Sequence, residues 1–313
     1  MNQQQWEARR ASIGASDTPK IIGLSAWGGP ADVWADKTGR TQYQPSTGAA
    51  LRGQALESVV LAHAAEAHGA IAAEQERCAF PGWPILTATL DAALVDGRIV
   101  EAKTATYRHR DAWDYLERHG TPAPGTTPEV YWAQCQHQML ASGNDSVVLV
   151  VLLHDFDAVD RSLNEGNAAD WAEVFHSLRE LGALDFRSFE IRADAEFQRN
   201  MVASLRGFWR YVEDDVCPPG HAPSWNTLRA MWPAELTDRE MQGDATAEAW
   251  IAHYLDSHAA AAAAEAAKEE AKRHLCALIG ENRGLRADSG RATWKADKRG
   301  NRRFRCVAEQ EDE

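Results

Sequence analysis

The apolar positions of this chain change period several times, and each change marks an element. From Trp6 to Gly39 the pattern reads helix, turn, helix: Ser16 or Asp17 caps the segment TPKIIGL, and Pro30 opens a second helix that Gly39 stops. ALRGQALESVVLAHAAEAHG sets apolar residues at 56, 59, 60, 61 and 64 ahead of Gly69, the spacing of an amphipathic helix. The period then falls to two. ILTATLDAAL and RIVEA are β-branched-rich runs on either side of Asp96-Gly97, which predicts a β-hairpin, and their apolar character places it in the interior. Helices are predicted over 129–142, about 168–181 and about 193–213, and NDSVVLVVLLHDF as a strongly buried strand. The order implies an α/β fold with a small mixed central sheet flanked by helices.

The pattern changes again after residue 215. CPPGHAPSW and MWPAELTDRE predict a linker over 216–244. Residues 245–279 then form a long alanine-rich helix ending at Gly280, and the basic segment after it reads as a hairpin or meander. The expected organisation is a core over 1–215, a linker over 216–244 and an appendage over 245–313.

Composition narrows the function without naming it. A net charge of −13 argues against a uniformly basic nucleic-acid binder, yet an enzyme acting on nucleic acid needs only a local basic track. Basic residues cluster at Arg9-Arg10, Arg108 to Arg110 and Lys295 to Arg305. The five cysteines have no CxxC spacing, so they form neither a zinc site nor a disulfide framework, and a reducing cytoplasm is the simple expectation. No apolar run approaches the roughly 18 residues that would span a membrane. HExxH, the phosphate-binding GxxxxGK[ST] and GxSxG are all missing.

The hairpin carries the chemistry. Glu101 and Lys103 lie two apart on a strand and share a face, while Ala102 points the other way. Register decides whether Asp91 joins them. A two-residue Asp-Gly loop would pair Asp91 with Ala102; a three-residue loop, Val95-Asp96-Gly97, with Gly97 left-handed, pairs it with Glu101. Opposed β-carbons lie about 5 Å apart, close enough for two carboxylates to hold one divalent cation, and oxygen-only ligands select Mg²⁺ or Mn²⁺. We therefore expect the odd-length loop. The alternative is a surface hairpin with scattered charges.

Other polar positions are ambiguous taken singly. Glu57, at the margin of the helix before the hairpin, reads as an ordinary surface acid. Gln134, His137 and Gln138 share one face of the helix over 129–142, which either lines a polar pocket or meets solvent.

In this order the pieces resemble the phage exonuclease family of lambda exonuclease and the YqaJ-type viral recombinases, within the PD-(D/E)xK nuclease superfamily. The resemblance covers about residues 6 to 215. It rests on Arg9 and Ser16 in RRASIGASD, on LSAWGGPADVWADKTG, on Gly53-x3-Glu57, on Asp91-x9-Glu101-x-Lys103 and on Tyr131-x-Ala-Gln134-x-Gln136. It implies a restriction-endonuclease-like core. It also implies that Asp91, Glu101 and the Ala102 carbonyl hold a catalytic Mg²⁺ (Mn²⁺ is possible), and that Glu57 serves a second metal or its waters. Lys103 would polarise the attacking water or stabilise phosphate charge, Gln134 would line the site, and Arg9 and Ser16 would bind a DNA phosphate. The implied activity is 5′-to-3′ digestion of linear double-stranded DNA in phage-type recombination. The implied partners are a single-strand annealing protein and further copies of the chain in a homo-oligomer, a trimer in this family, in a bacterial host cytoplasm. An endonuclease or nickase with the same chemistry is the alternative enzyme, and a non-catalytic DNA-binding recombination scaffold the alternative of another class. One departure stands out: the family often has Pro-Asp-Gly at the first acid, where this chain has Leu90-Asp91-Ala92.

Overall fold

The computed structural model describes residues 9–42, 48–166, 170–220, 222–235 and 240–308, so Trp6, where the expected helix-turn-helix stretch begins, lies outside the described residues. The chain divides into two compact units, 1–235 and 236–313, and the division falls inside the expected linker.

The first unit begins with the short strand β1 (Ile13–Gly14) and the helices α1 (Thr18–Ile21), α2 (Pro30–Lys37) and α3 (Ala49–His68). Strands β2 (Ile71–Ala79), β3 (Leu86–Leu94) and β4 (Ile99–Thr106) follow, then α4 (Arg110–His119), α5 (Thr127–Ser142) and β5 (Ser146–His154). Helices α6 (Asp157–Asn164) and α7 (Trp171–Glu180), strand β6 (Asp185–Arg192), and helices α8 (Ala195–Glu213) and α9 (Trp225–Met231) complete it. The result is a mixed sheet flanked by helices, the α/β architecture that the alternating periods predict.

Strand β5 forms the spine of this sheet. It runs parallel to β4 and antiparallel to β6, and Val147 through Leu153 are all buried. Its odd-numbered residues join the core beneath α5 and α8, and its even-numbered ones join the core beneath α3 and α7. Covered on both faces, it reads as a continuous apolar run rather than an alternating one. Leu56, Val59, Val60, Leu61 and Ala64 of α3 all enter the second core, as their helical spacing predicts.

The predicted three-residue turn forms. Ala92 pairs with Val100 and Ala93 with Ile99, the Leu94 N–H donates to the Arg98 carbonyl at 2.8 Å, and Gly97 has φ +92°. Continuing this register sets Asp91 opposite Glu101. The backbone ladder stops one residue short of that pair. On the edge of β3 away from β2, β1 pairs with Leu86 and Thr87 while β4 pairs with Ala92 and Ala93. Residues 88–91 lie between those two pairings, and the backbone opens there. Strand β2 bends at the same level: Gln75, which would face Asp91, has φ +54°, rare for a residue with a β-carbon. Along β3, Leu86, Ala88 and Leu90 belong to one core and Ala92 and Leu94 to the other, so the strand changes face at Asp91.

Six elements of this unit were not foreshadowed by periodicity: the strands β1, β2 and β6 and the helices α4, α6 and α9, the last of which lies within the stretch expected to be a linker. The second unit holds the long helix α10 (Ala245–Ile279), capped by the Asp244 carboxylate, and an antiparallel meander of β7 (Gly284–Ala287), β8 (Gly290–Ala296) and β9 (Arg302–Ala308). Among the described residues no helix is long and apolar enough to cross a membrane.

Candidate active site

The opening between β3 and β4 forms the floor of a cleft of about 730 Å³, whose lining includes Glu57, Asp91, Ala102, Lys103 and Tyr131, with Trp27 exposed at its edge. Asp91 reaches across the break in the ladder. Its Oδ2 accepts the Ala102 N–H at 2.9 Å, so a side chain stands in for the missing strand partner. Glu101 is 1% exposed. Its carboxylate accepts the Gln134 amide at 2.6 Å and the Gln138 amide on its other oxygen, and it pairs with the Lys103 ammonium. The amide face of α5 therefore points inward, onto Glu101. Gln138, one turn beyond Gln134, plays a part no motif assigned to it; its own Oε1 is buried and without a partner.

These charges govern one another. Burial and the Glu101 carboxylate push the Asp91 carboxyl up to about 8. Lys103 is moved the other way. Burial disfavours its charge, yet Glu101 and Asp91 together hold the ammonium well above its ordinary value, and it stands 5.2 Å from the centre of the Tyr131 ring. A lysine so held is a cation, not a base. Burial, joined by Glu101, also raises Glu57. The Glu57 carboxylate accepts the Gln75 amide at 2.6 Å, so the residue at positive φ is the one that anchors this acid.

The donor set fits a hard divalent cation in part. The partly buried Asp91 and the fully buried Glu101 are two acids in like-charge conflict, which a cation would relieve, and the neighbouring Ala102 carbonyl belongs to the same oxygen chemistry. Glu57 stands apart: among the described residues no three acidic, histidine or cysteine side chains converge as a ready metal site. Two carboxylates rather than three form the centre.

Arg9 and Ser16 meet beside this cleft. The Arg9 guanidinium donates to the Ser16 hydroxyl at 2.6 Å and lines both the cleft and an adjoining hollow of about 160 Å³ whose walls hold Arg10, Lys20 and Lys37 along with Asp17 and Asp36. Asp17 balances these cations. It accepts the Lys37 ammonium at 2.6 Å and the Gly14 N–H at 2.9 Å; burial opposes its charge, but Lys37 and Arg9 hold it down to about 2. Behind them, His137 bridges the layers. Its Nε2 donates to the Thr87 carbonyl at 2.9 Å, leaving Nδ1 to accept the Thr18 hydroxyl at 2.6 Å, and burial lowers the imidazole to about 4. That neutral histidine fastens α1 and α5 to β3 next to the break in its ladder.

Fold and cleft together define a mixed α/β protein with a paired-carboxylate and lysine centre beside a basic hollow. Residues 5–145, a little under half of the chain, match the model of the YqaJ-like viral recombinase domain. The uncharacterized protein YqaJ of Bacillus subtilis (strain 168) is 29% identical over 143 residues, which are 44% of this chain and 42% of that protein. The chain thus spans less than half the length of that relative. Among solved structures, the alkaline exonuclease LHK-Exo from Laribacter hongkongensis aligns over 68% of this chain and 93% of its own, at 17% identity and a TM-score of 0.46. Its complex with dAMP aligns over 68% and 94%, at 17% identity and a TM-score of 0.47. The phage related exonuclease from Haemophilus somnus 129PT aligns over 65% and 94%, at 13% identity and a TM-score of 0.45.

Proposed function

We propose that this protein is a Mg²⁺-dependent DNA nuclease that digests one strand of linear duplex from its 5′ end. The observation that carries the proposal is the joint placement of Asp91, Glu101 and Lys103 at the break between β3 and β4, open to a cleft. The match of residues 5–145 to the YqaJ-like viral recombinase domain supports DNA as the substrate. Asp91 and Glu101, with the Ala102 carbonyl, would hold the cation, and Glu57 would act on the water around it. When bound, Mg²⁺ or Mn²⁺ supplies Lewis-acid charge to a phosphodiester and lowers the pKa of a coordinated water.

The chain's own residues have separate tasks. Gln134 and Gln138 fix the Glu101 carboxylate by one amide on each oxygen. Lys103, kept cationic, offsets the charge that gathers on the phosphate as the bond breaks. Arg9 and Ser16, joined by Lys37 and Arg10, make a hollow suited to a terminal phosphate, which favours attack from an end over attack within the duplex. A homo-oligomer, trimeric as in the family it resembles, a single-strand annealing partner and a cytoplasmic setting belong to the same reading.

Incubation with linear, nicked and closed-circular duplex in Mg²⁺ tests it. Loss of linear DNA alone, faster with a 5′-phosphate and stopped by chelation, is the expected result. Equal cutting of closed circles would make the enzyme an endonuclease, and no cleavage in any divalent metal would remove the hydrolytic reading.

A further inference from the structure

The second unit carries a charged surface that the cleft chemistry does not use. Residues 280–308 contain nine basic and three acidic side chains, in a chain whose net charge is −13. Five of the nine basic side chains share one face of the meander. Ala292 is buried, and Trp294 lines a hollow with Lys272, Arg273 and Cys276 of α10, so this face of β8 packs on the helix. Arg291, Thr293 and Lys295 alternate with them and leave the opposite face. The register sets Arg286 opposite Arg291, Thr293 opposite Arg305, and Lys295 opposite Arg303. Arg286, Arg291, Lys295, Arg303 and Arg305 thus share one exposed face.

Two of those pairs, Arg286 with Arg291 and Lys295 with Arg303, set like charges directly opposite each other, an arrangement that weakens a sheet. Asp297, at the rim, accepts the Arg303 guanidinium at 3.3 Å. With a rise of about 3.4 Å per residue and about 4.8 Å between strands, the five cations fall within a patch roughly 14 Å long and two strand spacings wide. Such a surface pays an internal electrostatic cost that a polyanion lying across it would cancel.

We propose that this face of the meander binds the sugar–phosphate backbone of nucleic acid, as a contact separate from the cleft. A membrane surface is the less suited anion, because the residues between the cations are Gly284 and Thr293, and Val307, half-exposed at the far end, is the one large apolar side chain on the face. The inference rests on DNA as the partner but not on hydrolysis. Glu309, Glu311, Asp312 and Glu313 follow in the sequence, lie outside the described residues, and are retained in every variant below.

The test uses the full chain with a fluorescein-labelled duplex in chelator, so that binding is read without cleavage. Anisotropy titrations across a salt series compare the wild type with R291Q/K295Q/R305Q and with the charge-retaining R291K/K295R/R305K. Each phosphate contact contributes about 0.9 to the slope of log affinity against log salt, so the neutral triple variant should lower that slope by about 2 to 3 and weaken binding by at least about 10-fold at low salt. The charge-retaining variant should stay within about 2-fold of the wild type, because long-range charge rather than a fixed fork geometry carries the contact. An unchanged slope in the neutral variant overturns the proposal. So does an equal loss in the charge-retaining variant, which marks a folding defect, or a loss of binding to phosphatidylserine vesicles while DNA binding is intact. A lowered slope in the neutral variant together with a wild type that cuts no DNA in Mg²⁺ would keep this surface and sink the nuclease reading alone.

Discussion

At the scale of the residue, Asp91 concentrates the cost of the cluster. Burial and Glu101 raise it from 3.8 to about 8, so between those values the folded protein keeps a proton that the unfolded chain has released. Stability from this group is therefore lost as pH rises through that window, and the loss is complete above it. Asp91→Asn removes the conflict. In chelator its Tm should exceed that of the wild type near pH 8, and the gap should close near pH 4. Mg²⁺ should raise the Tm of the wild type and leave that of Asp91→Asn nearly unmoved, since an ion stabilises only the fold that holds it. An equal rise in both proteins would take Asp91 out of the ion's ligands. Gln138 makes the complementary case. With Gln138→Leu, Glu101 loses a buried donor, so unfolding in urea should cost about 1–3 kcal/mol less than for the wild type; an unchanged midpoint would show that the amide is dispensable to the carboxylate.

At the scale of the element, the turn at residues 95–97 sets which carboxylates meet. Gly97 sits at φ +92° with open space where a β-carbon would lie, so any penalty there is conformational rather than steric crowding. Gly97→Val should destabilise by about 1–2 kcal/mol and Gly97→Asn by less, measured by urea unfolding; equal stability of all three would mean the turn does not need the left-handed backbone. This hairpin was legible because its inward positions are apolar and its loop is punctuated by Asp96-Gly97. Strands β2 and β6 were not: IAAEQERCA of β2 lies mostly in solvent and carries no clear period of two, and DFRSFEIR of β6 fully buries only Phe189 and Ile191. Helices α4 and α6 bury only Trp113 and Leu116, and Val159, too few positions to show a helical stripe. Within the cluster, Gln134 and Gln138 were visible as neighbours on one helix face, but a neutral amide looks the same facing solvent or a buried acid. Gln75 gave no signal, since nothing in a glutamine announces a positive φ.

At the scale of the molecule, the charge distribution shows how an acidic protein could serve the polyanionic substrate proposed for it. The acids that matter are buried in pairs or held by amides in the cleft, while the cations gather in two places, the Arg9 hollow of the first unit and the outer face of the second unit's meander. Net charge therefore says little about the partner, and local placement says much. The central claim is that Asp91, Glu101 and Lys103 form a hydrolytic centre. Single-turnover digestion of a 5′-phosphorylated linear duplex in Mg²⁺ by the wild type, Asp91→Asn and Lys103→Met, each checked for an intact thermal transition, tests it most directly. The account predicts a fall of at least about 100-fold in the rate for both variants, the scale of losing one aimed charge at a reacting phosphate. A rate within about 2-fold of the wild type in either folded variant would contradict it.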